Sequence, residues 1–140
     1  MHAHTPALVV IDPRGLILRK VAYLRSSISC PPEAQITHQT YDAAGQAKQS
    51  RDPRLFKLLD STPDAPANLV TVFSLSETAL LTQSTDAGWS LSLVGEARQP
   101  LESWDSKLNH NRTNHDQRLR PVEVFEQTED EPESRSECFS

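Results

Sequence analysis

The sequence predicts an all-β fold built from serial antiparallel β-hairpins. The main support for this prediction is a short sequence motif around an aspartate that recurs along the chain. Each copy lies between two stretches that are either apolar or alternate between apolar and polar residues. An Asp side chain accepts hydrogen bonds from backbone N–H groups two residues on, and a following Gly suits the left-handed position of a three-residue hairpin loop. The predicted structural turn residues are Asp12, Gly15, Tyr41, Asp42, Gly45, Asp52, Asp86, Gly88, Asp105 and Asp116.

Composition supports a single domain with a modest core. The chain has 140 residues, of which 36% are hydrophobic and only 6% aromatic, which is lean for a self-contained globule. Its formal net charge is −5. Binding to nucleic acid or to anionic lipid requires a basic face, so neither partner is expected.

The first half of the chain predicts two hairpins. Residues 8–11 form a strand, and the turn Asp12-Pro13-Arg14-Gly15 leads into a second strand that could reach residue 25. The double proline Pro31-Pro32 breaks this segment, because proline cannot sit inside a central strand. Residues 36–41 alternate and are rich in β-branched side chains, and residues 46–51 form the weaker return strand.

The second half predicts a run of short strands. Residues 54–59 are expected to form a helical turn or a packed loop, and the composition of residues 60–67 marks a soft internal break. Residues 89–93 have the clearest alternation, with Trp89, Leu91 and Leu93 on one face of a half-buried strand. The remaining predicted strands are residues 68–75, 80–85, 100–104, 109–115 and 121–125.

The last fifteen residues change in character. Residues 126–140 are acidic, contain a proline and include almost no apolar side chain. Such a segment cannot bury enough surface to order itself, so a disordered acidic tail is predicted.

No constellation of residues predicts catalysis, a metal or a cofactor. The turn aspartates could serve as acid–base groups or Ca²⁺ ligands, but each turn supplies a single carboxylate, and turn formation explains them better. His2, His4, His38, His110 and His115 read as ordinary surface histidines, and Cys30 and Cys138 as unrelated free thiols. We therefore expect a protein that is not an enzyme. Trp89 and Trp104 read as hairpin core, although stacking on a sugar ring stays open as the basis of an alternative carbohydrate- or protein-binding β module.

An ordered set of motifs carries a family resemblance. Tyr41-Asp42-Ala43-Ala44-Gly45, followed by a polar strand and Arg51-Asp52-Pro53-Arg54, resembles the Rhs/YD repeat. The opening residues 9–16 and the stretches 68–76, 85–89, 93–97, 102–105 and 119–121 are together similar to the N-terminal part of the C component of bacterial insecticidal Tc toxin complexes. The resemblance covers residues 7–125, which we take as one YD-repeat hairpin ribbon.

The resemblance implies a structural role. The C component spirals with a B component into a hollow shell that holds a cytotoxic C-terminal segment, so further Rhs repeats or a B-type subunit are the expected partners. No stretch of this sequence matches the autoprotease motif of the family, so the resemblance implies no catalytic residue here. Departures include Glu77 at a turn position usually held by Gly and Ser90 where Arg is common. They suggest an incomplete fragment of the shell, which is either a truncated or degenerating, non-toxic copy or a stand-alone N-terminal piece.

Localisation follows from the same expectations. The first residues lack a basic start, and residues 8–11 are too short for a signal core. Synthesis in the cytoplasm without a signal peptide is predicted, with secretion as part of a toxin complex. Membrane insertion by this segment is not expected, because no apolar run approaches the roughly twenty residues that a spanning helix needs.

Overall fold

The computed structural model describes residues 6–27 and 30–139. Those residues form eleven antiparallel strands and one short helix, arranged in two compact units that meet in sequence between Val70 and Thr71. Within each unit every strand pairs with the next one along the chain. The predicted all-β fold of serial antiparallel hairpins is confirmed.

The first unit is a meander of strands with a helix on one face. Its strands pair successively, and β4 continues the ladder to the start of β5 through Ser50 opposite Leu69. The elements are β1 (Leu8–Ile11), β2 (Ile17–Leu24), β3 (Glu33–Tyr41), β4 (Ala47–Arg51), α1 (Pro53–Leu58) and the first two residues of β5 (Leu69–Phe73), whose other three belong to the second unit.

The helix α1 begins where the chain leaves β4. Pro53 occupies the first helical turn, where its missing N–H costs nothing. Asp52 is the N-cap, and its Oδ1 accepts a hydrogen bond from the Leu55 N–H at 2.9 Å. The helix packs on β3 and β4, which agrees with the helical turn expected over residues 54–59.

The second unit is also a meander of strands. Leu91 of β7 lies opposite Leu81 of β6 on one side and Trp104 of β8 on the other, so the apolar positions line up across three strands. The strands are β6 (Ala79–Ser84), β7 (Gly88–Val94), β8 (Pro100–Asp105), β9 (His110–His115), β10 (Pro121–Gln127) and β11 (Ser134–Cys138).

The predicted disorder of residues 126–140 is wrong for residues 126–127 and 134–138, which lie in strands. β10 runs to Gln127, and β11 pairs with it along an antiparallel ladder. Two ion pairs hold the acidic segment: Arg112 Nε lies 3.1 Å from Glu133 Oε1, and Arg135 Nη1 lies 3.2 Å from Glu123 Oε1. Composition misled here because an open strand edge supplies backbone partners that a polar segment can use without a core.

Little of the sheet is buried. Among the described residues, the buried apolar side chains are Ala65 and Ala67, and no side chain is completely buried. All four residues of β1 are exposed, with Ile11 at 59%. A sheet of this kind has exposed faces and almost no interior of its own.

Candidate functional site: the hairpin loops and the exposed strands

Six hairpin loops among the described residues share one backbone geometry. In each, the N–H of the first residue donates to the carbonyl of the fifth, and the N–H of the fourth donates to the carbonyl of the first, at 2.8–3.2 Å. This is a three-residue hairpin connection in which a type I turn is followed by a left-handed residue, and we call it the G1-bulge loop. The six loops begin at Asp12, Asp42, Ser74, Gly95, Asp105 and Asp116.

In the first unit the loops have the predicted residues. Asp12 Oδ1 accepts from the N–H groups of Arg14 at 2.8 Å and Leu16 at 2.9 Å. In the second loop, Asp42 Oδ1 accepts a hydrogen bond from the Gln46 N–H at 2.9 Å. Gly15 and Gly45 hold the fourth positions with φ of 84° and 87°, a conformation that glycine adopts without steric cost.

Arg14 joins these two loops. Its Nη1 donates to the Asp42 carbonyl at 3.0 Å, while its Nε donates to Asp12 Oδ2 at 2.8 Å. Desolvation acts to raise the pKa of Asp12, but the Leu16 and Arg14 contacts outweigh it, and the net pKa is lowered. Neighbouring loops are thus tied by one guanidinium at the same end of their strands.

In the second unit, Asp105 and Asp116 also accept hydrogen bonds from the backbone N–H groups of their loops. A hydrogen bond from the Asn109 side chain, followed by backbone N–H groups, holds the pKa of Asp105 below its ordinary value. The Arg120 N–H and guanidinium similarly lower the pKa of Asp116. These carboxylates are occupied as hydrogen-bond acceptors for loop backbone, so a role as proton-transfer groups finds no support in their geometry.

Two G1-bulge loops begin without the predicted aspartate. Ser74 begins one, and its Oγ accepts from the Thr78 N–H at 3.1 Å, in the manner of the Asp carboxylates. Gly95 begins the other, where the Gln99 side chain folds back instead and its Oε1 accepts from the Ala97 N–H at 3.0 Å. A Cβ on Gly95 would collide with that amide. In the first of these loops, Ser74 at the position of the Asp is a feature of the sequence that indicates the turn. In the second, Gly95 has no side chain that could accept a hydrogen bond.

The left-handed positions of the second unit carry side chains. The described residues with positive φ other than glycine are Glu77, Arg98, Leu108 and Leu119, with φ between 61° and 64°. Each is the fourth residue of a G1-bulge loop. An L-residue in this conformation costs roughly 1–2 kcal/mol, so these loops keep their geometry at an energetic cost.

Two predicted turn aspartates act differently from the rest. Asp52 caps α1 rather than closing a hairpin, and its own N–H donates to Asn68 Oδ1 at 2.6 Å. At the β6–β7 hairpin, Ser84 Oγ accepts from the N–H groups of Asp86 and Ala87, both at 3.3 Å. The serine, rather than the carboxylate of Asp86, orders that turn.

Gly88 and Tyr41 have separate structural tasks. Gly88 has φ of 77°, and a Cβ there would collide with the side chain of Ser106 in the neighbouring β8–β9 loop. Tyr41 lies at the end of β3, and its hydroxyl donates to the Ile17 carbonyl of β2 at 3.0 Å. Both residues fasten one hairpin to the next.

Trp104 is engaged within the sheet. Its ring stacks on the imidazole of His110 across β8 and β9, with centroids 4.8 Å apart and planes 2° from parallel. His110 Nε2 lies 3.0 Å from Glu102 Oε2. One face of the indole is therefore covered by His110, which leaves only the other face for stacking on a sugar ring.

The other candidate groups are dispersed. His2 and His4 lie outside the described residues. His38 lies beneath α1, and its Nδ1, like that of His115, is buried without a hydrogen-bond partner. Cys30 and Cys138 are exposed free thiols. Within the described part of the chain, no three His, Cys, Asp or Glu side chains gather to hold a metal ion, and no helix has the length and apolar character to cross a membrane.

Comparison with known proteins gives a consistent set of relatives, although no family model matches. Toxin subunit YenC1 of Yersinia entomophaga is 31% identical over 133 residues, which make up 94% of this chain and 14% of YenC1. Toxin subunit YenC2 of the same organism is 34% identical over 94 residues, or 66% of this chain and 9% of that protein. The chain thus spans less than a fifth of either relative.

Solved structures agree with these relatives. The crystal structure of TcdB2-TccC3 without the hypervariable C-terminal region superposes with a TM-score of 0.92 at 28% identity, over 99% of this chain and 7% of that one. TcdB2-TccC3-Cdc42 gives 0.90 at 29%, over 96% and 6%. The Photorhabdus luminescens Tc holotoxin pore gives 0.85 at 30%, over 94% and 6%. The chain is therefore an Rhs/YD-repeat protein like the C component of bacterial insecticidal Tc toxin complexes.

Proposed function

We propose that this chain is a wall segment of an Rhs-type shell, equivalent to the N-terminal shell portion of a Tc toxin C subunit. Further Rhs repeats and a B-type subunit would pack on it, and the completed shell would enclose a C-terminal toxin. The chain would then reach the outside of the cell as part of such a complex. Its contribution is structural rather than catalytic.

The observation that carries this proposal is the absence of an interior among the described residues. Large apolar side chains stay exposed on the strands, and β1 presents Leu8, Val9, Val10 and Ile11 to solvent. Full burial of such a side chain is worth about 1.5–3 kcal/mol. About half of each β1 side chain is exposed, so covering the strand would contribute about 4 kcal/mol in all. A partner that completes the sheet would supply this stabilisation.

The fixed loops support the same role. Repeating units stack regularly only when each connection has the same length and exit angle, and six described connections follow one hydrogen-bonding scheme. Contacts such as Arg14 to the Asp42 carbonyl lock neighbouring loops together. A wall needs this regularity, whereas a small catalyst needs convergent reactive groups.

A chimera tests the proposal directly. The matching segment of TccC3 would be replaced by residues 6–139 of this chain and co-expressed with TcdB2, and complex formation would be measured by size-exclusion chromatography with light scattering. We expect a stable complex of the same mass as the parent. A chimera of Val10→Lys, which places a charge in an exposed β1 position, should assemble less well than a matched control, Lys20→Gln on β2.

The opposite results would reject the proposal. If the parent assembles while the chimera is produced in soluble form but remains separate from TcdB2, the segment does not act as a shell wall. If the isolated chain is a monomer with a sharp cooperative melt that TcdB2 does not shift, its exposed strands need no partner.

A further inference from the structure

His38 lies at the centre of a basic row that faces α1. It is paired in register with Arg19 of β2 on one side and with Arg51 of β4 on the other. Residues directly opposite in antiparallel strands place their side chains on the same face. Phe56 of α1 covers the row, with its ring centroid 5.2 Å from that of His38 and 5.3 Å from Arg19 Cζ.

The row has no counter-charge among the described residues. Arg51 Nη1 donates to Gln49 Oε1 at 3.0 Å and Nη2 to the Ala65 carbonyl at 3.3 Å, and both acceptors are neutral. Arg51 Nε and His38 Nδ1 are buried without a hydrogen-bond partner. Arg19 forms no described ion pair. The positive charge in this row is therefore met by neutral hydrogen-bond acceptors and by the Phe56 ring, and not by a carboxylate.

The charged side chains of α1 form ion pairs with residues other than those of the basic row. On α1, Lys57 Nζ lies 3.1 Å from Glu33 Oε1 of β3, and Arg54 Nη2 lies 3.0 Å from Asp52 Oδ2. Asp60, in the loop after α1, borders the cavity of about 210 Å³ between α1 and β3 and makes no described ion pair. The charged groups that act on the His38 imidazole are Arg19 and Arg51, with no carboxylate of β2, β4 or α1 among them.

We propose that His38 is a proton-operated latch on α1. While the imidazole is neutral, Phe56 stays seated on β3 and the helix holds the connection between β4 and β5. A proton on His38 creates a third positive charge between Arg19 and Arg51, on a half-buried imidazole whose Nδ1 is closed off from water. The charge is relieved when α1 lifts and the imidazole becomes hydrated.

The direction and limit of the effect follow from linkage. Desolvation, and then the charges of Arg19 and Arg51, lower the pKa of His38 from its ordinary value of 6.5 in the closed state. In the open state the imidazole is hydrated and binds protons more readily, so acid favours opening. At pH 5 the opening equilibrium can rise by at most about thirtyfold, the limit for an open-state imidazole with the ordinary pKa of 6.5 and a closed state that binds no proton.

Hydrogen exchange of the full chain tests the latch. Protection factors of peptides covering residues 53–60, corrected for the pH dependence of chemical exchange, would be compared at pH 7.5 and pH 5. We expect a loss of several-fold to about thirtyfold in the parent and less than twofold in His38→Gln. His115→Gln is the matched control, since His115 Nδ1 is also buried without a partner, and it should behave like the parent.

Two results would overturn the proposal. One is an unchanged protection factor in the parent, or an equal loss in His38→Gln. The other is a titration of the parent chain alone, which tests the proposal even if His38→Gln does not fold. Imidazole proton resonances of His38, followed by NMR against pH, must titrate below 6.5, and a midpoint at or above that value rules out the latch.

Discussion

Replacing Arg98 by glycine should stabilise the second unit. Arg98 is the fourth residue of the loop between β7 and β8, with φ of 63°, and its side chain is exposed. Relief of the left-handed backbone should gain about 1–2 kcal/mol, while the greater freedom of glycine in the unfolded chain should cost about 0.4–1 kcal/mol. The net expectation is a gain of about 1 kcal/mol in the free energy of unfolding.

Urea unfolding followed by tryptophan fluorescence measures this change. Trp89 and Trp104 lie on the two strands joined by the loop, so the probe reports on the hairpin that is altered. With a denaturant slope of about 2 kcal/mol/M, the midpoint should rise by about 0.5 M. Ala97→Gly is the control, because Ala97 precedes Arg98 in the same loop without a positive φ. It should lower the stability by about 0.5–1 kcal/mol.

The reasoning fails if Arg98→Gly lowers the midpoint, or if Ala97→Gly raises it by the same amount. The first result would mean that the Arg98 side chain contributes more than its backbone costs. The second would mean that loop flexibility, rather than the sign of φ at one position, sets the stability. Neither result is compatible with a fixed G1-bulge geometry as the origin of the effect.

Three further changes address the other turn residues. Gly15→Ala should cost about 1 kcal/mol in urea unfolding although its new Cβ meets no atom within 4 Å, because φ is 84°; an unchanged midpoint would contradict this. Asp52→Ala should cost about 1 kcal/mol by removing the cap on the Leu55 N–H, seen as faster hydrogen exchange over α1, and Asp52→Asn should largely restore protection. Asp116→Asn should flatten the acid side of the stability profile. Hydrogen bonds from Arg120 lower the folded pKa of Asp116 from 3.8, so its stabilising effect is present above pH 3.8 and is lost as the pH falls below it; an acid profile identical to that of the parent would argue against the contact.

The sequence was most informative where the local chemistry of a turn determines its geometry. Asp42 and Gly45 specify a G1-bulge loop through one side-chain acceptor and one permissive φ, and the structure has that loop. The loop at Gly95 has neither residue in the expected place. There the same backbone bonds form because β7 and β8 are already aligned by their apolar positions, and Gln99 fills the vacant space. Tertiary pairing can therefore impose a turn that composition does not encode.

The acidic segment, residues 126–140, also shows that tertiary pairing can override what composition predicts. Residues 126–140 have the composition of a disordered tail, and periodicity offered no strand. The partner that orders β11 is the free edge of β10, together with Arg112, which lies above Phe125 with its Cζ 4.4 Å from the ring centroid and reaches Glu133. Neither the edge nor the arginine can be recognised as a partner before strand order is known. For the same reason, the basic row at His38 is invisible in sequence, since Arg19 and Arg51 are brought together only by register.

Costly loop geometry and sparse burial lead to the same conclusion about how this segment is stabilised. Four described residues of the second unit other than glycine have a positive φ, each at a cost of roughly 1–2 kcal/mol. Hydrophobic burial is the usual compensation, yet the described residues include no completely buried side chain. The backbone ladders and the loop carboxylates fix the shape of each hairpin, but they contribute modest net energy because water bonds the same groups in the unfolded chain. If the chain is a shell wall, as proposed, the surface covered on assembly is the remaining source of stability, and this surface includes apolar strands such as β1. A wall segment that relies on its neighbours in this way would be ordered in the completed shell and only marginally stable outside it.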